Sequence, residues 1–291
     1  MSPCPEPPVP YSDVTTAAET LPGSPPETLT RQLRILRVIA AAEFRLKYAD
    51  SSLGYAWSIL KPLALFTMLY LVFGRLFGLN EVSPYYAVSL LIGIVLFGFF
   101  ADATSLGMTS LVARESLLRK LVFPRIVIPV AATLTAAMTF GVNAVVVIGF
   151  IAWRQITPQL EWLLIPLLLL ELYAFTLGVA LLLSTMFVRL RDIGQVWELG
   201  LQLFFFGSAV IYPVGYLPPW ARELVFLNPF TQVLQDIRAI LLYPDLPGNR
   251  ITAADAFPTF GHAIPIGLAF VTLVVGLLYF RRESPWFAER V

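Results

Sequence analysis

Long apolar runs alternate with short polar segments along most of the chain. A helix needs about 20 mostly apolar residues to cross the hydrocarbon core of a bilayer. Six stretches meet this requirement, near residues 57–77, 84–106, 127–152, 162–187, 195–213 and 261–280. The pattern predicts an all-α integral membrane protein with six transmembrane helices.

The start of the chain follows a different pattern. Residues 1–29 are rich in Pro, Ser, Thr and Glu, and such a composition cannot bury enough apolar surface to offset the entropy lost on ordering. We therefore predict a disordered cytosolic tail. From Thr30 to Tyr48, apolar residues recur at helical spacing and alternate with cations such as Arg45 and Lys47. This predicts a basic amphipathic helix that lies in the membrane interface.

Composition and charge support a membrane location. Hydrophobic residues make up 57% of the chain and charged residues only 13%, and the mean hydropathy is +0.75. Most of the 20 Lys and Arg residues lie in segments on one side of the predicted spans. By the positive-inside rule, that side and both termini are cytosolic. The net charge of +1 gives no indication of a nucleic-acid partner, and we expect none.

The segment 211–243, between the fifth and sixth predicted spans, is half polar and interrupted by proline. Irregular backbone at membrane depth occurs only where protein or a water-filled cavity satisfies it. We predict that prolines end span five and that Asn228 and Pro229 separate two short helices, which together form a gate at the outer mouth. The gate residues are Pro213, Pro218, Pro219, Trp220, Asn228 and Pro229. The alternative is a static pair of interfacial helices.

The cytosolic connection between predicted spans two and three has a helical half that ends before Phe123 and Pro124. A short amphipathic helix of this kind can dock into a groove on a soluble partner, because its charges fix the orientation and its leucines supply burial. The residues expected at such a contact are Arg114, Glu115, Leu118, Arg119 and Lys120. An ordinary positively charged cytosolic loop is the alternative.

Aromatic residues are dense within the spans and several share a predicted helix face. Aromatic rings stack on the apolar faces of sugars without demanding one linkage, as they do on bases of any sequence. The pattern favours a glycan path lined by Phe66, Tyr70, Phe73, Phe97, Phe100, Phe204 and Tyr212. Packing against other helices or lipid is the alternative for each ring.

Catalytic chemistry is weakly represented. The single histidine, His262, lies at the outer mouth of span six, and no glycine-rich phosphate loop or nucleophile–base pair is present in the sequence. The single cysteine, Cys4, excludes an intrachain disulfide and a cysteine-cluster metal site. Acids within the predicted spans are Asp102, Glu171 and Glu198. Glu171 is the deepest, but it has no basic companion in the spans to form a proton relay.

Three strings carry a resemblance to a known family: FRLKYADSSLGYAWSILKPL (44–63), LLRKLVFPRIVIPVA (117–131) and RLRDIGQVWELGLQLFFFGSAVIYPVGYLPPWARELVFLNPF (189–230). In this order and with the spans between them, they resemble the transmembrane subunit of ABC exporters for lipid-linked polysaccharides. That family is of the ABC-2 type and includes O-antigen, teichoic acid and galactan exporters. The resemblance runs from about Arg31 to the end of the chain.

The resemblance implies a role for several segments. An interface helix and an entry turn (30–52) precede a six-helix transmembrane domain (53–291), and the lipid diphosphate enters at the turn. The entry residues are Arg45, Lys47, Ser52, Leu53, Gly54 and Lys61. The loop from Arg114 to Lys120 corresponds to the coupling helix, which rests on the nucleotide-binding subunit. Segment 211–243 corresponds to two re-entrant helices at the outer leaflet.

The resemblance also implies a function. The chain is expected to be a permease in the bacterial inner membrane, a homodimer paired with two copies of a separate ATPase that binds ATP and Mg²⁺. It would export an undecaprenyl-diphosphate-linked polysaccharide, with no cofactor and no enzymatic activity of its own. Three alternatives remain: an ABC-2 efflux permease for a drug, small lipid or heme, a membrane-embedded glycosyl or acyl transferase, and an ion-coupled flippase that depends on Glu171.

Overall fold

A computed structural model describes residues 56–83, 85–115, 124–243 and 250–287, together with Leu36, Ala40, Phe44 and Gly54. Within these ranges the regular structure is helical and contains no strand. The α-helices are α1 (Ala56–Leu69), α2 (Leu79–Val82), α3 (Tyr86–Ala113), α4 (Val127–Trp153), α5 (Ile165–Arg189), α6 (Ile193–Gly207), α7 (Pro219–Phe226), α8 (Pro229–Leu242), α9 (Ala253–Ala256) and α10 (Ala263–Glu283). The predicted tail at residues 1–29 lies outside the described residues.

Five helical segments in the described part of the chain are long and apolar enough to cross a membrane. They are Ala56–Leu76, Tyr86–Ala113, Val127–Trp153, Leu160–Arg189 and Ala263–Glu283. The first includes a π-helix at Tyr70–Leu76, and the fourth begins with a 3₁₀ turn at Leu160–Leu164. These segments correspond to predicted spans one to four and six, so the chain is a multi-pass membrane protein.

The predicted bounds of the fifth span are wrong at its outer end. Helix α6 stops at Gly207, six residues before Pro213, and its 15 residues extend only about 22 Å. The hydrocarbon core of a bilayer is about 30 Å thick. The chain turns at Ser208 and at Ala209, whose φ of 50° lies in the left-handed region. Proline therefore does not end this helix, and a sixth crossing stays a prediction.

Helix α3 lies at the centre of the bundle. Seventy-two per cent of its spanning window is buried, against 22% for each of α4 and α10. The helix is apolar all round and carries small residues on several faces, which is typical of a helix surrounded by others. Its neighbours are α4, α5 and α1, and the outer helix α8 also packs on it. The charge rule predicts an orientation in which Tyr86 lies at the outer end of α3 and Ala113 at the cytosolic end, and the ends of the bundle are named by this orientation.

Two glycines bring the backbones of α5 and α10 into direct contact. A Cβ atom on Gly276 would lie 2.5 Å from the carbonyl oxygen of Gly178, and a Cβ atom on Gly178 would lie 2.7 Å from the backbone of Leu273. Small residues allow this close approach, and the resulting van der Waals packing contributes to helix association in a bilayer, where apolar burial gives no preference for protein over lipid.

The cytosolic ends of α4, α5 and α10 are held together by polar contacts over a small core. Glu283 pairs with Arg189 at 2.5 Å, and Arg125 donates a hydrogen bond to the carbonyl oxygen of Ser284. Beneath them, buried side chains form an apolar cluster made of Leu111, Ile128, Leu181, Val188, Phe280 and Phe287. These contacts make the cytosolic end of the bundle one packed unit.

We expect Gly276→Ala to destabilise the protein by about 1–3 kcal/mol, because the added methyl group must push two backbones apart. Gly267→Ala in the same helix is the matched control, since a Cβ atom there meets nothing within 4 Å. That control should gain up to about 1 kcal/mol from helix propensity. Thermal unfolding of both variants in the same detergent tests the prediction, and equal melting temperatures would contradict it.

Candidate functional site

The outer segment contains two helices separated at the predicted residues. Helix α7 ends at Phe226, and α8 begins at Pro229 with Asn228 as its N-cap, whose side chain accepts a hydrogen bond from the Phe230 amide at 3.0 Å. Pro229 occupies the first helical position, where a missing N–H has no consequence. The predicted break at Asn228 and Pro229 is therefore confirmed. Pro219 begins α7 in the same way.

The two helices differ in their surroundings. Every residue of α8 is buried, including Gln232, Gln235, Asp236 and Arg238, so this helix is enclosed by protein on all sides. In contrast, α7 lies at the surface, and its Trp220 is 66% exposed. Only Phe226 of α7 is fully buried, in a small cluster with Ala253 of α9. The outer segment thus combines an enclosed helix with a weakly anchored one.

Arg238 is the deepest cation of the outer segment. Its guanidinium donates to the carbonyl oxygen of Ser89 from both Nε (3.2 Å) and Nη2 (2.9 Å). It also donates to the carbonyl oxygens of Ala209 (2.9 Å) and Val210 (2.7 Å). Arg238 therefore joins α8 to the outer end of α3 and to the turn after α6. A Cβ atom on Gly93 would lie 2.7 Å from Nη2, so glycine is needed for this approach.

A polar cavity of about 260 Å³ lies beside Arg238. Its wall includes Tyr212 and Pro213, two residues predicted for the path and the gate. The other polar side chains in its wall are Ser83, Tyr86, Ser89, Tyr216, Gln235 and Tyr243. Two hydrogen bonds, each of 2.8 Å, fix parts of the wall. Tyr86 Oη donates to the carbonyl oxygen of Ile211, and Ser83 Oγ is bonded to Tyr243 Oη.

A second polar cluster joins α8 to α5 and α10. Asp236 accepts a hydrogen bond from Gln232 Nε2 at 2.7 Å, and its other oxygen lies 3.1 Å from His262 Nε2. Glu171 of α5 interacts electrostatically with Asp236 and His262. His262 is thus a basic neighbour of Glu171 that lies just before the span of α10 and not within it. Asp236 and His262 also line a pocket of about 370 Å³, which the Glu161–Arg250 ion pair borders.

The cytosolic half contains a lateral groove between α1 and α3, with a volume of about 380 Å³. It brings together Lys61, which was predicted for lipid entry, and Phe97, which was predicted for the glycan path. Asp102 and Trp57 also line this groove. An open groove that combines a lysine with mostly apolar walls suits a ligand with a charged head and a lipid tail.

Most of the other predicted path aromatics pack inside the protomer. Phe100 is 1% exposed and stacks on Phe204 with 4.8 Å between ring centroids, and Phe66 packs edge-on against Phe150 of α4. Tyr70 stacks on Phe66, and Phe73 stacks on Phe77 in the π-helical region. A glycan path along Phe66 or Phe100 would require these rings to move, so their role stays a prediction.

The remaining predicted residues fall at the edges of the described structure. Arg114 and Glu115 end the central helix α3 at its cytosolic side. Gly54 adopts a φ of 48°, in the region that favours glycine, as expected for a turn before α1. Outside the described residues lie Arg45, Lys47, Ser52, Leu53, Leu118, Arg119 and Lys120.

The hydrogen bond with Asp236 raises the pKa of His262. Partial burial opposes this effect, whereas the negative charges of Asp236, Glu171 and Asp255 add to it. A folded pKa above the unfolded value of about 6.5 means that the pair stabilises the folded protein fully below that unfolded value. The contribution is then lost as the pH rises through the folded pKa.

We expect the melting temperature of the wild-type protein to exceed that of His262→Gln by more at pH 5.5 than at pH 9. His262 is the only histidine in the chain, so no other imidazole contributes to this difference. Thermal unfolding in detergent at the two pH values measures it. Parallel pH profiles for the two proteins would exclude a charged His262–Asp236 pair.

Comparison with known families matches residues 34–242 to the ABC-2 type transporter model. Among curated relatives, the O-antigen export system permease protein RfbA of Klebsiella pneumoniae is 28% identical over 88% of this chain and 94% of its own length. RfbA of Myxococcus xanthus is 27% identical over 88% of this chain and 95% of its own. The capsule polysaccharide export inner-membrane protein CtrC of Neisseria meningitidis is 25% identical over 73% of this chain and 81% of its own length.

Proposed function

Since the chain belongs to the ABC-2 type transporter family, we propose that it exports an undecaprenyl-diphosphate-linked polysaccharide across the bacterial inner membrane. The observation that carries this proposal is the similarity, over 88% of the chain, to permeases named for O-antigen export. A third relative is named for capsule polysaccharide export. Polysaccharide is thus the substrate class that these relatives share.

Two copies of the chain would pair with two copies of a separate ATPase, which binds ATP and Mg²⁺. The contact would use the cytosolic segment from Arg114 to Lys120, with both termini on the same side. Helix α3 supports a mechanical link, because its 28 residues extend about 42 Å from Arg114 to the outer segment. At its far end, Ser89 is bound by Arg238. Movement at the ATPase contact would therefore reach the gate through one helix.

The lipid diphosphate would enter through the groove between α1 and α3. Lys61 supplies positive charge there, and Gly54 supplies the turn that precedes α1. Cations compensate the charge of a diphosphate at the membrane surface, while the apolar wall of the groove accommodates the lipid. Helix α6 would provide the fifth crossing, completed at the outer side by segment 208–216, which gives six spans in all.

At the outer mouth, α7 would be the moving part of the gate and α8 the fixed part. Helix α8 is enclosed and bound through Arg238 and Asp236, whereas α7 packs on α8 and α9 and buries only Phe226. Elements with few buried contacts open at the lowest free-energy cost. This division retains the predicted gate residues Trp220 and Pro219 on the moving helix.

Single cysteines in a Cys4→Ser background test this division. We expect Val225→Cys, on the half-buried face of α7, to become more reactive towards an impermeant thiol reagent when nucleotide is trapped in the complex with the ATPase. Val233→Cys, on enclosed α8, is the matched control and should stay unreactive in both states. Constant labelling at 225 would favour a static helix pair, and new labelling at 233 would mean that α8 also moves.

Depletion of the chain in its native cell tests the exported substrate. We expect lipid-diphosphate-linked glycan to accumulate in the inner membrane and surface glycan to fall, with recovery when the wild-type gene is restored. A P-loop ATPase should also purify with the tagged chain from native membranes. Normal surface glycan, together with hypersensitivity to a drug, would favour the small-molecule efflux alternative. Export without any ATPase partner would favour an ion-coupled flippase, for which Glu171 is the acid to mutate.

A further inference from the structure

The polar cavity beside Arg238 has the composition of a carbohydrate site. Four tyrosine rings line a volume of about 260 Å³: Tyr86, Tyr212, Tyr216 and Tyr243. Pockets that bind small molecules combine aromatic walls with a few converging polar groups. Tyrosine suits sugars in particular, because its ring stacks on C–H faces and its hydroxyl group forms hydrogen bonds.

The hydrogen-bond capacity of the cavity is only partly used. Gln235 is 8% exposed, and its Nε2 has no partner among the described residues. Ser83 Oγ and Tyr243 Oη share one hydrogen bond, so the hydroxyl that accepts keeps a free hydrogen. Arg238 has five N–H groups and makes four hydrogen bonds, which leaves one donor on Nη1.

These spare groups are donors, and the wall is positively charged. Arg238 is the single charged side chain among the described residues that line the cavity. A buried amide donor without an acceptor costs about 1–3 kcal/mol, so the site favours an occupant that supplies acceptor oxygens. Hydroxyl and ring oxygens of a sugar supply such acceptors, and a carboxylate substituent would add attraction to Arg238.

We propose that this cavity binds one sugar unit of the exported polymer as it leaves the membrane. The cavity lies between the outer end of α3 and the turn before α7, and Tyr216, which is 57% exposed, forms its accessible edge. Because the wall includes Arg238 and the residues that directly follow the turn it binds, an occupied cavity places the glycan against the fixed part of the outer segment, next to α7. This inference rests on the proposed export of a polysaccharide.

Photo-crosslinking in native membranes of the exporting cell tests the site. Benzoylphenylalanine, which inserts into nearby C–H bonds on irradiation, is placed at position 216 at the cavity edge, instead of Tyr216. The control protein carries it at position 220 on the same segment, instead of Trp220. Both side chains are exposed, and only Tyr216 lines the cavity. After irradiation of the full complex, we expect a glycan-bearing adduct of the chain, detected by sugar staining and mass spectrometry, from position 216 and at most one-fifth as much from position 220.

Variants within the wall show whether the spare donors hold the glycan. Gln235→Leu removes the amide at similar bulk, and Tyr243→Phe removes one hydroxyl with little change of shape; each should lower the adduct at position 216 at least threefold. Tyr243→Phe keeps the test valid if Gln235→Leu does not fold. Absence of a position-216 adduct, or an equal adduct at position 220, would overturn the proposed sugar site. Normal glycan export after depletion would contradict the proposed function itself. Impaired export without a position-216 adduct would contradict only the sugar site, so the two outcomes can be told apart.

Discussion

The outer half of this protein depends on one buried cation. Arg238 is 4% exposed, and its hydrogen-bond partners among the described residues are three backbone carbonyl oxygens. Moving a charge out of water costs several kcal/mol unless polar groups replace its hydration. The carbonyl groups of Ser89, Ala209 and Val210 do so, but only while α3, the turn after α6 and α8 keep their relative positions. Ionic solvation therefore fixes the geometry of three elements that are distant in sequence.

This constraint accounts for features that otherwise look unrelated. Gly93 leaves room for the guanidinium at a position where any side chain would meet Nη2. Ala209 accepts a left-handed backbone, which costs of order 1–3 kcal/mol for a residue other than glycine, while its carbonyl oxygen binds Arg238. The end of α6 at Gly207 follows from the same turn. The cytosolic end is held separately, by Arg189 and Glu283 across α5 and α10.

The parts of the fold that could be predicted are those with a local physical cause. Spans one to four and six follow from apolar runs of about 20 residues, and the start of α8 follows from an N-cap asparagine before proline. The end of α6 could not be predicted, because its cause, Arg238, lies some 30 residues further along the chain. The same holds for Glu171, whose companions Asp236 and His262 come from two other elements. The π-helix at Tyr70–Leu76 has no clear local signal, and it alters the face shared by the first-span aromatics.

Helix α8 illustrates why hydropathy alone misjudges such a protein. Its polar residues fall on two faces. Gln232 and Asp236, four positions apart, bond to each other, and Asp236 also contacts His262 at the start of α10. Gln235 and Arg238, three positions apart, line the tyrosine cavity. A sequence with polar residues on two faces is typical of a helix in water, yet every residue of α8 is buried. The helix is stable in this position only because surrounding protein replaces water on both faces. Its polar residues therefore identify it as the enclosed support of the outer segment, in contrast to the exposed α7, which we propose as the moving part.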